Sequence, residues 1–267
     1  MTALTLKFAT KSSERFDLAP LTPDKLKGLK PREIEALTVG ITRDPVKVGD
    51  VFKLNGADPS KLRLVGTTGV CDNIGRGMKA GEIVVDGDAG AYLGATMRGG
   101  KIGVSGSAGP YAGGSMAGGL VEISGNAGER AGGVVVGEHF GMRGGRLMIG
   151  GHAGAVLGER MRRGLIVVAG AASDYAGARM IAGTIVIRGK VGRYAGFNLR
   201  RGSLVLSKEP KDLLPTFGDS GVLDFEYLRL LERQLRADGV NVRLRARARR
   251  LMGDMAVLGK GEMLILV

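Results

Sequence analysis

The stretch Glu82-Ile83-Val84-Val85-Asp86-Gly87-Asp88-Ala89-Gly90-Ala91-Tyr92-Leu93-Gly94-Ala95-Thr96-Met97-Arg98-Gly99-Gly100 decides how this chain is read, because it comes back. Its Gly-x-x-Gly-x-x-x-Gly spacing at Gly87, Gly90 and Gly94 returns at Gly106, Gly109 and Gly113, at Gly125, Gly128 and Gly132, and at Gly189, Gly192 and Gly196. The register is kept by Met78, Met97, Met116, Met142, Met161, Met180 and Leu199, at intervals of 19, 19, 26, 19, 19 and 19 residues. The same intervals link Gly81, Gly100, Gly119, Gly145, Gly164, Gly183 and Gly202. A fixed period near twenty marks stacked copies of one unit and argues against a fold built around a central pocket.

Each unit opens on a short β-branched run, at 82–87, 101–105, 120–124, 146–150, 165–169 and 184–188, bounded by glycines. Such runs read as strands, and no unit has the ten to twelve residues a helix needs. Nineteen residues suffice for one turn of two or three short strands with glycine corners. The expected fold is therefore all-β: a right-handed parallel β-helix of about seven coils of about 19 residues. The glycines serve corners where a side chain would be strained by about 1–2 kcal/mol. Two units depart from the pattern. Ser173 stands where a glycine is due, and residues 133–141 lengthen the third unit by seven residues. Insertions of this kind go to loops on one face, as a contact surface or as a tolerated bulge.

In a stack, equivalent side chains form files. Leu93, Ala112, Ala131, Leu157, Ala176 and Ala195 are expected inside, beside the methionines. Tyr92, Tyr111, Tyr175 and Tyr194 share one register and read as an aromatic ladder or a ligand platform. The flanks differ from the middle. Residues 1–60 form an N-terminal α/β cap with a strand at 4–8, a helix starting at Thr22-Pro23, a second at 31–37 and a strand or hairpin at 46–54. Residues 61–206 are the repeat domain. Residues 207–267 are a C-terminal cap with a helix near 224–238 and a basic strand at 242–250.

Glycine accounts for 47 of 267 residues, but hydrophobic residues make up 44%, so the chain is neither disordered nor, lacking a Gly-X-Y period, collagen-like. A single cysteine, Cys71, and a start without a hydrophobic signal core point to a soluble cytoplasmic protein with no membrane partner. The net charge of +13, from 39 basic against 26 acidic residues, calls for an acidic partner or ligand. Nucleic acid is a poor candidate, since aromatics are 4% and no base- or backbone-reading module is recognisable.

Catalytic constellations are missing. The two histidines, His139 and His152, fall in different repeats far from Cys71, so no metal-ligand spacing exists. There is neither a Gly-x-Ser-x-Gly elbow nor a phosphate loop, and Gly66-Thr67-Thr68-Gly69 reads as a repeat corner. Glu82, Asp86 and Asp88 cluster once, but equivalent positions elsewhere carry Ser, Ala or Arg, which argues against repeated calcium sites. No catalytic or metal-binding residue is expected on this chain. The one chemical signal is cationic. After each methionine-file position come Lys79, Arg98, Ala117, Arg143, Arg162, Ile181 and Arg200, with Arg163 and Arg201 adjoining. Stacked at about 4.8 Å per level, they make a ridge about 30 Å long, either a solvated face or a track for an extended polyanion. The run from Arg243 to Arg250 is a second basic segment, or a charged guard for a sheet edge.

The glycine repeat resembles the β-helical C-terminal domain of the glutamate synthase large subunit and the C subunit of formylmethanofuran dehydrogenase. The ending Gly253-Asp254-Met255-Ala256 with Gly259-Lys260-Gly261-Glu262-Met263-Leu264 is similar to this C-subunit family, as are Leu213-Leu214-Pro215-Thr216-Phe217 and Leu228-Arg229-Leu230-Leu231. The resemblance covers roughly residues 45–267. It implies a scaffold subunit in one of two branches. One is a molybdenum or tungsten formylmethanofuran dehydrogenase. The other, favoured by the 18–54 region, is a bacterial formyltransferase/hydrolase assembly of methylotrophs, which moves a formyl group from formyl-tetrahydromethanopterin to a methanofuran-type carrier and releases formate. An unrelated polyanion-binding module is the remaining alternative. The family places metals, including an expected zinc, and the formyl chemistry on other subunits: a metallohydrolase-like chain, its companion and a formyltransferase. The carrier's polyglutamate tail then becomes the expected ligand of Lys79, Arg98, Arg143, Arg162, Arg163, Arg200 and Arg201.

Overall fold

Ile83 and Val85 point one way and Val84 the other, and only Val84 of the three is exposed, which is the alternation a strand with one buried face requires. The structure, a computed structural model, describes residues 2–10, 14–41, 46–237, 239–240 and 242–267. The chain starts with strands β1 (Ala3–Phe8) and β2 (Phe16–Asp17). Short helices α1 (Pro23–Leu26), α2 (Pro31–Glu35) and α3 (Val48–Val51) follow, then β3 (Phe52–Asn55), β4 (Asp58–Thr67) and β5 (Cys71–Asp72). The repeats supply β6 (Glu82–Gly87), β7 (Lys101–Val104), β8 (Leu120–Ile123), β9 (Arg143–Ile149), β10 (Arg163–Val168), β11 (Thr184–Ile187) and β12 (Arg201–Leu206). The chain closes with β13 (Gly218–Asp224), α4 (Glu226–Ala237), β14 (Arg247–Gly253) and β15 (Lys260–Leu266).

The protein is mostly β. Thirteen strands join in one sheet, ordered β13-β14-β15-β12-β11-β10-β9-β8-β7-β6-β4-β1-β3. From β4 to β12 all neighbours are parallel, with Ile83, Ile102, Val121, Leu147, Ile166, Ile185 and Leu204 in one file that Met263 of β15 completes. Every member of that file is fully buried. A second parallel file runs through single bridges joining Ala89, Ala108, Ala127, Ala153, Ala172 and Val191. The ends are antiparallel, β1 against β3 and β13–β14–β15 as a meander, so the sheet as a whole is mixed.

Methionines and glycines are coupled across levels. Gly119 has φ +88°, and a Cβ there would lie 2.6 Å from the Met97 Cε and 2.8 Å from the Gly100 carbonyl oxygen. The same relation holds between Gly145 and Met116. All six file methionines and Leu199 are fully buried, together with the small-residue file from Leu93 to Ala195. The corners are not reserved for glycine, however. Tyr92, Tyr111, Tyr175 and Tyr194 all have φ between 57° and 63°. The strain is offset because the N–H groups of Tyr92, Tyr111 and Tyr175 bond the next level, Tyr92 to the Pro110 oxygen at 2.8 Å, and the four rings stack in pairs at 4.9 Å. Arg130 and Val156 interrupt the ladder between the two pairs with the same backbone conformation.

In the C-terminal half both sheet faces are covered. Leu165, Val167, Val186 and Val205 pack outward against Leu228 and Leu235 of α4, which explains the unbroken apolar run in β10. Three local expectations need correction. Residues 46–54 do not form one strand: the Asp50 carboxylate accepts the Lys47 N–H at 3.0 Å and starts α3 before β3 begins. The helix expected at 31–37 ends at Glu35. The strand expected at 242–250 begins only at Arg247, because Val242 and Leu244 are buried beneath α4 and the Leu244 N–H is bound by Glu232 at 2.6 Å. Position 241 lies outside the described residues, as do 42–45 of the N-terminal cap.

Candidate functional site

The basic file is built by the backbone. The N–H of each residue after a methionine bonds the methionine carbonyl one level earlier: Arg98 to Met78 at 2.8 Å, Arg143 to Met116, Arg162 to Met142 and Ile181 to Met161 at 2.7 Å, and Arg200 to Met180 at 2.9 Å. Equivalent side chains are thus forced onto one corner of the sheet. Lys79, Arg98, Arg162, Arg163, Arg200 and Arg201 are exposed there and Arg143 is half-buried. Ala117 and Ile181 break the file into clusters.

The insertion of residues 133–141 lands on this corner. Its ends are closed by the Met142 N–H donating to the Gly132 oxygen at 2.8 Å. Buried Ser115 pins its interior: the hydroxyl oxygen accepts the Val135 N–H at 3.0 Å and the hydroxyl donates to the Phe140 oxygen at 2.8 Å. Phe140 then lies under the Arg162 guanidinium, 5.1 Å from the ring centre, and Glu138 pairs with Arg143 at 3.4 Å. Arg143 is therefore committed to the insertion and contributes less free charge than its position suggests.

Beside it opens a cavity of about 230 Å³ lined by Phe140, Arg160, Arg179, Ile181, Asn198, Arg200 and Val257. Arg160, Arg179 and Asn198 occupy one register position in three successive repeats, each with φ between 51° and 56°. Arg179 shares the buried Glu159 carboxylate with Arg130, bonding it at 3.1 Å. The far wall is fixed by Asp254, 2% exposed, whose carboxylate accepts the Asn198 N–H at 3.0 Å and the Ala256 N–H at 2.8 Å. Arg160, Arg179 and Asn198 were not singled out from the sequence. The signal for them is the residue before each methionine-file position, whereas the residue after it gives only Ile181 and Arg200 of the lining.

Other polar residues serve structure. Asp88 accepts the Ser107 N–H at 2.7 Å, Ser107 the Asn126 N–H at 3.0 Å, Asn126 the His152 N–H at 2.7 Å, and His152 Nδ1 the Ala171 N–H at 2.9 Å. This ladder joins consecutive levels and accounts for both Asp88 and His152. Asp86 pairs with Arg63 at 2.6 Å. Among the described residues no three His, Cys, Asp or Glu side chains gather as a metal site. Burial pushes the Cys71 thiol up to about 11, away from the range of a reactive thiolate. No helix among the described residues is long and apolar enough to cross a membrane. What this corner offers chemically is positive charge in fixed positions, with apolar surface beside it.

No family model matches the sequence. A curated relative, the C subunit of the formyltransferase/hydrolase complex Fhc of Methylorubrum extorquens, is 41% identical over 89 residues, a segment that spans 33% of this chain and 34% of that one. Among solved structures, a chain of the X-ray crystal structure of the formyltransferase/hydrolase complex FhcABCD from Methylorubrum extorquens in complex with methylofuran superposes with a TM-score of 0.91 at 41% identity. The match covers 98% of this chain and 99% of that one.

Proposed function

The chain belongs to the C-subunit family of formyltransferase/hydrolase complexes, and from that membership we propose that it is the non-catalytic scaffold subunit of such an assembly. The observation that carries this is full-length likeness, 41% identity across 99% of a chain solved within FhcABCD. In this reading the assembly transfers a formyl group from formyl-tetrahydromethanopterin to a methanofuran-type carrier and releases formate in cytoplasmic one-carbon metabolism. A formyltransferase, a metallohydrolase-like subunit holding zinc and its companion supply the chemistry. The identity favours this hydrolytic branch over a molybdenum or tungsten dehydrogenase.

The scaffold itself we take to be a right-handed parallel β-helix over residues 61–206, between caps at 1–60 and 207–267. The parallel register at 19-residue offsets and the second file of alanine bridges support it, and the right hand follows the usual crossover of parallel strands. Lys79, Arg98, Arg143, Arg162, Arg163, Arg200 and Arg201 would hold the carrier's polyanionic tail. Affinity-tagged chain expressed in its own cell should bring down the other subunits, identified by mass; a complex that assembles and turns over without this chain refutes the scaffold role. Replacing Arg98, Arg143, Arg162 and Arg200 with Gln in the complex should weaken carrier binding and flatten its salt dependence. Unchanged carrier affinity refutes the track.

A further inference from the structure

The sheet ends on β13, and that end is open. All seven residues of the strand are exposed, and among the described residues only β14 pairs with it. The direction of its backbone groups follows from the neighbours. The Val267 N–H bonds the Arg247 oxygen at 3.2 Å, so Arg247 faces β15, and the Phe225 N–H bonds the Ala246 oxygen at 2.7 Å. In an antiparallel ladder, residues that bond a given neighbour alternate along the strand. Leu223, opposite Ala248, therefore turns its N–H and C=O toward β14. Those of Val222 and Asp224, opposite Arg249 and Arg247, point to the open side. Each of the two offers one donor and one acceptor, at the spacing a further strand would use.

Sheet ends are normally guarded. β3, at the opposite end, is four residues long and carries exposed Lys53. β13 has no lysine, arginine or proline, and it sets Val222 and Leu223 in solvent at 45% and 42% exposure. Neighbouring residues of a strand project to opposite faces, so a helix or loop laid on one face would cover only one of the two. A strand alongside flanks both. The bulge between Asp219 and Val222 is held by the Gly221 N–H on the Asp219 carboxylate at 2.8 Å, which limits the straight open run to residues 222–224. That shortness selects the occupant. Main-chain hydrogen bonds contribute about two- to tenfold each, so the four available here would hold two free copies no tighter than about 0.1 mM. The contact suits a segment already kept close by a larger assembly, at an effective concentration of about millimolar. Asp219 is taken by Arg249 at 2.8 Å, whereas Asp224 has no ion-pair partner among the described residues. A lysine or arginine on the incoming segment would neutralise it.

We propose that β13 is a docking edge that accepts an extended segment of another subunit as one more strand of the sheet. The segment pairs through Val222 and Asp224, carries aliphatic side chains on both faces and brings a basic residue to Asp224. That it belongs to a partner subunit rests on the scaffold role proposed above; the open edge itself rests on the direction of the ladder.

The test is hydrogen exchange resolved at single amides, in the tagged chain alone and in the complex it brings down. The Val222 and Asp224 amides should exchange at least tenfold more slowly in the complex. Equal rates overturn the docking edge while the scaffold role stands, whereas a chain that brings down no subunit overturns both. Val222→Pro with Asp224→Pro removes only N–H groups that face away from β14. As a free chain this variant should keep the wild-type urea midpoint, yet bind the remaining subunits at least tenfold more weakly; wild-type affinity overturns the edge. Asp224→Lys should weaken assembly at least threefold, and no change there overturns the basic residue. A free chain that sediments as a dimer at micromolar concentration, and as a monomer once both prolines are present, makes the occupant a second copy and overturns the partner subunit.

Discussion

Substituting Gly119 by Ala asks whether methionine and glycine files interlock as described. The new Cβ meets three atoms: the Met97 Cε at 2.6 Å, the Gly100 oxygen at 2.8 Å and the Gly99 carbonyl carbon at 3.1 Å. The left-handed backbone, φ +88°, costs about 1–2 kcal/mol for alanine whatever surrounds it. Overpacking adds about 1–3 kcal/mol, giving about 2–5 kcal/mol in all. Met97→Ala, at a fully buried position, costs about 2–5 kcal/mol through the cavity it leaves. Combined, the two changes remove the Cε contact but neither the backbone strain nor the overlap with Gly100. The double variant should therefore be more stable than the sum of the singles predicts, by about 1 kcal/mol. Urea denaturation of the four proteins measures this coupling. Met97→Ala with Gly145→Ala is the control, since Gly145 meets the Met116 Cε instead, and that pair should add. Additivity within about 0.3–0.5 kcal/mol for Met97 with Gly119 would refute the interlocking.

Two other outcomes follow from single residues. Ser115→Ala strands the Val135 N–H and the Phe140 oxygen, so it should destabilise the chain by about 1–3 kcal/mol and speed amide exchange across residues 133–141; unchanged exchange there means Ser115 does not hold the insertion. The buried Cys71 thiol has a folded pKa of about 11, above its unfolded value near 8.5, so the unfolded chain loses its proton first as pH rises. Stability from this group is whole below about pH 8.5 and falls between about pH 8.5 and 11, a decline that a Cys71→Ala variant should lack in pH-dependent denaturation. Equal slopes in the two proteins would show that burial does not hold the thiol protonated.

Repeats are legible because one residue's environment is reproduced at every level. Strand positions, the buried methionine file and the cationic file could all be read from a 19-residue comparison. What escaped has no repeat to report it. The α3 turn depends on one local capping contact, Asp50 to Lys47. The antiparallel meander and the late start of β14 depend on α4 covering Val242 and Leu244, a tertiary effect that strand propensity does not contain. Tyrosines in left-handed geometry defeat an argument that assigns such corners to glycine, because stacking and a level-to-level hydrogen bond outweigh the strain. The arginine cavity joins parts far apart in sequence, Phe140, Arg160, Arg179 and Val257, and only the first three belong to the repeats at all.

The excursion at 133–141 has a consequence for how this chain can change over time. It departs and returns through a single hydrogen bond, Met142 to Gly132, and pairing resumes beyond it with Leu120 opposite Arg146 as though nothing had intervened. Length is therefore a discrete variable here. An excursion at a corner leaves the register beyond it intact, whereas one extra residue within a strand must be absorbed by a bulge, as Gly66 is in β4 against β6, or it turns the later side chains over.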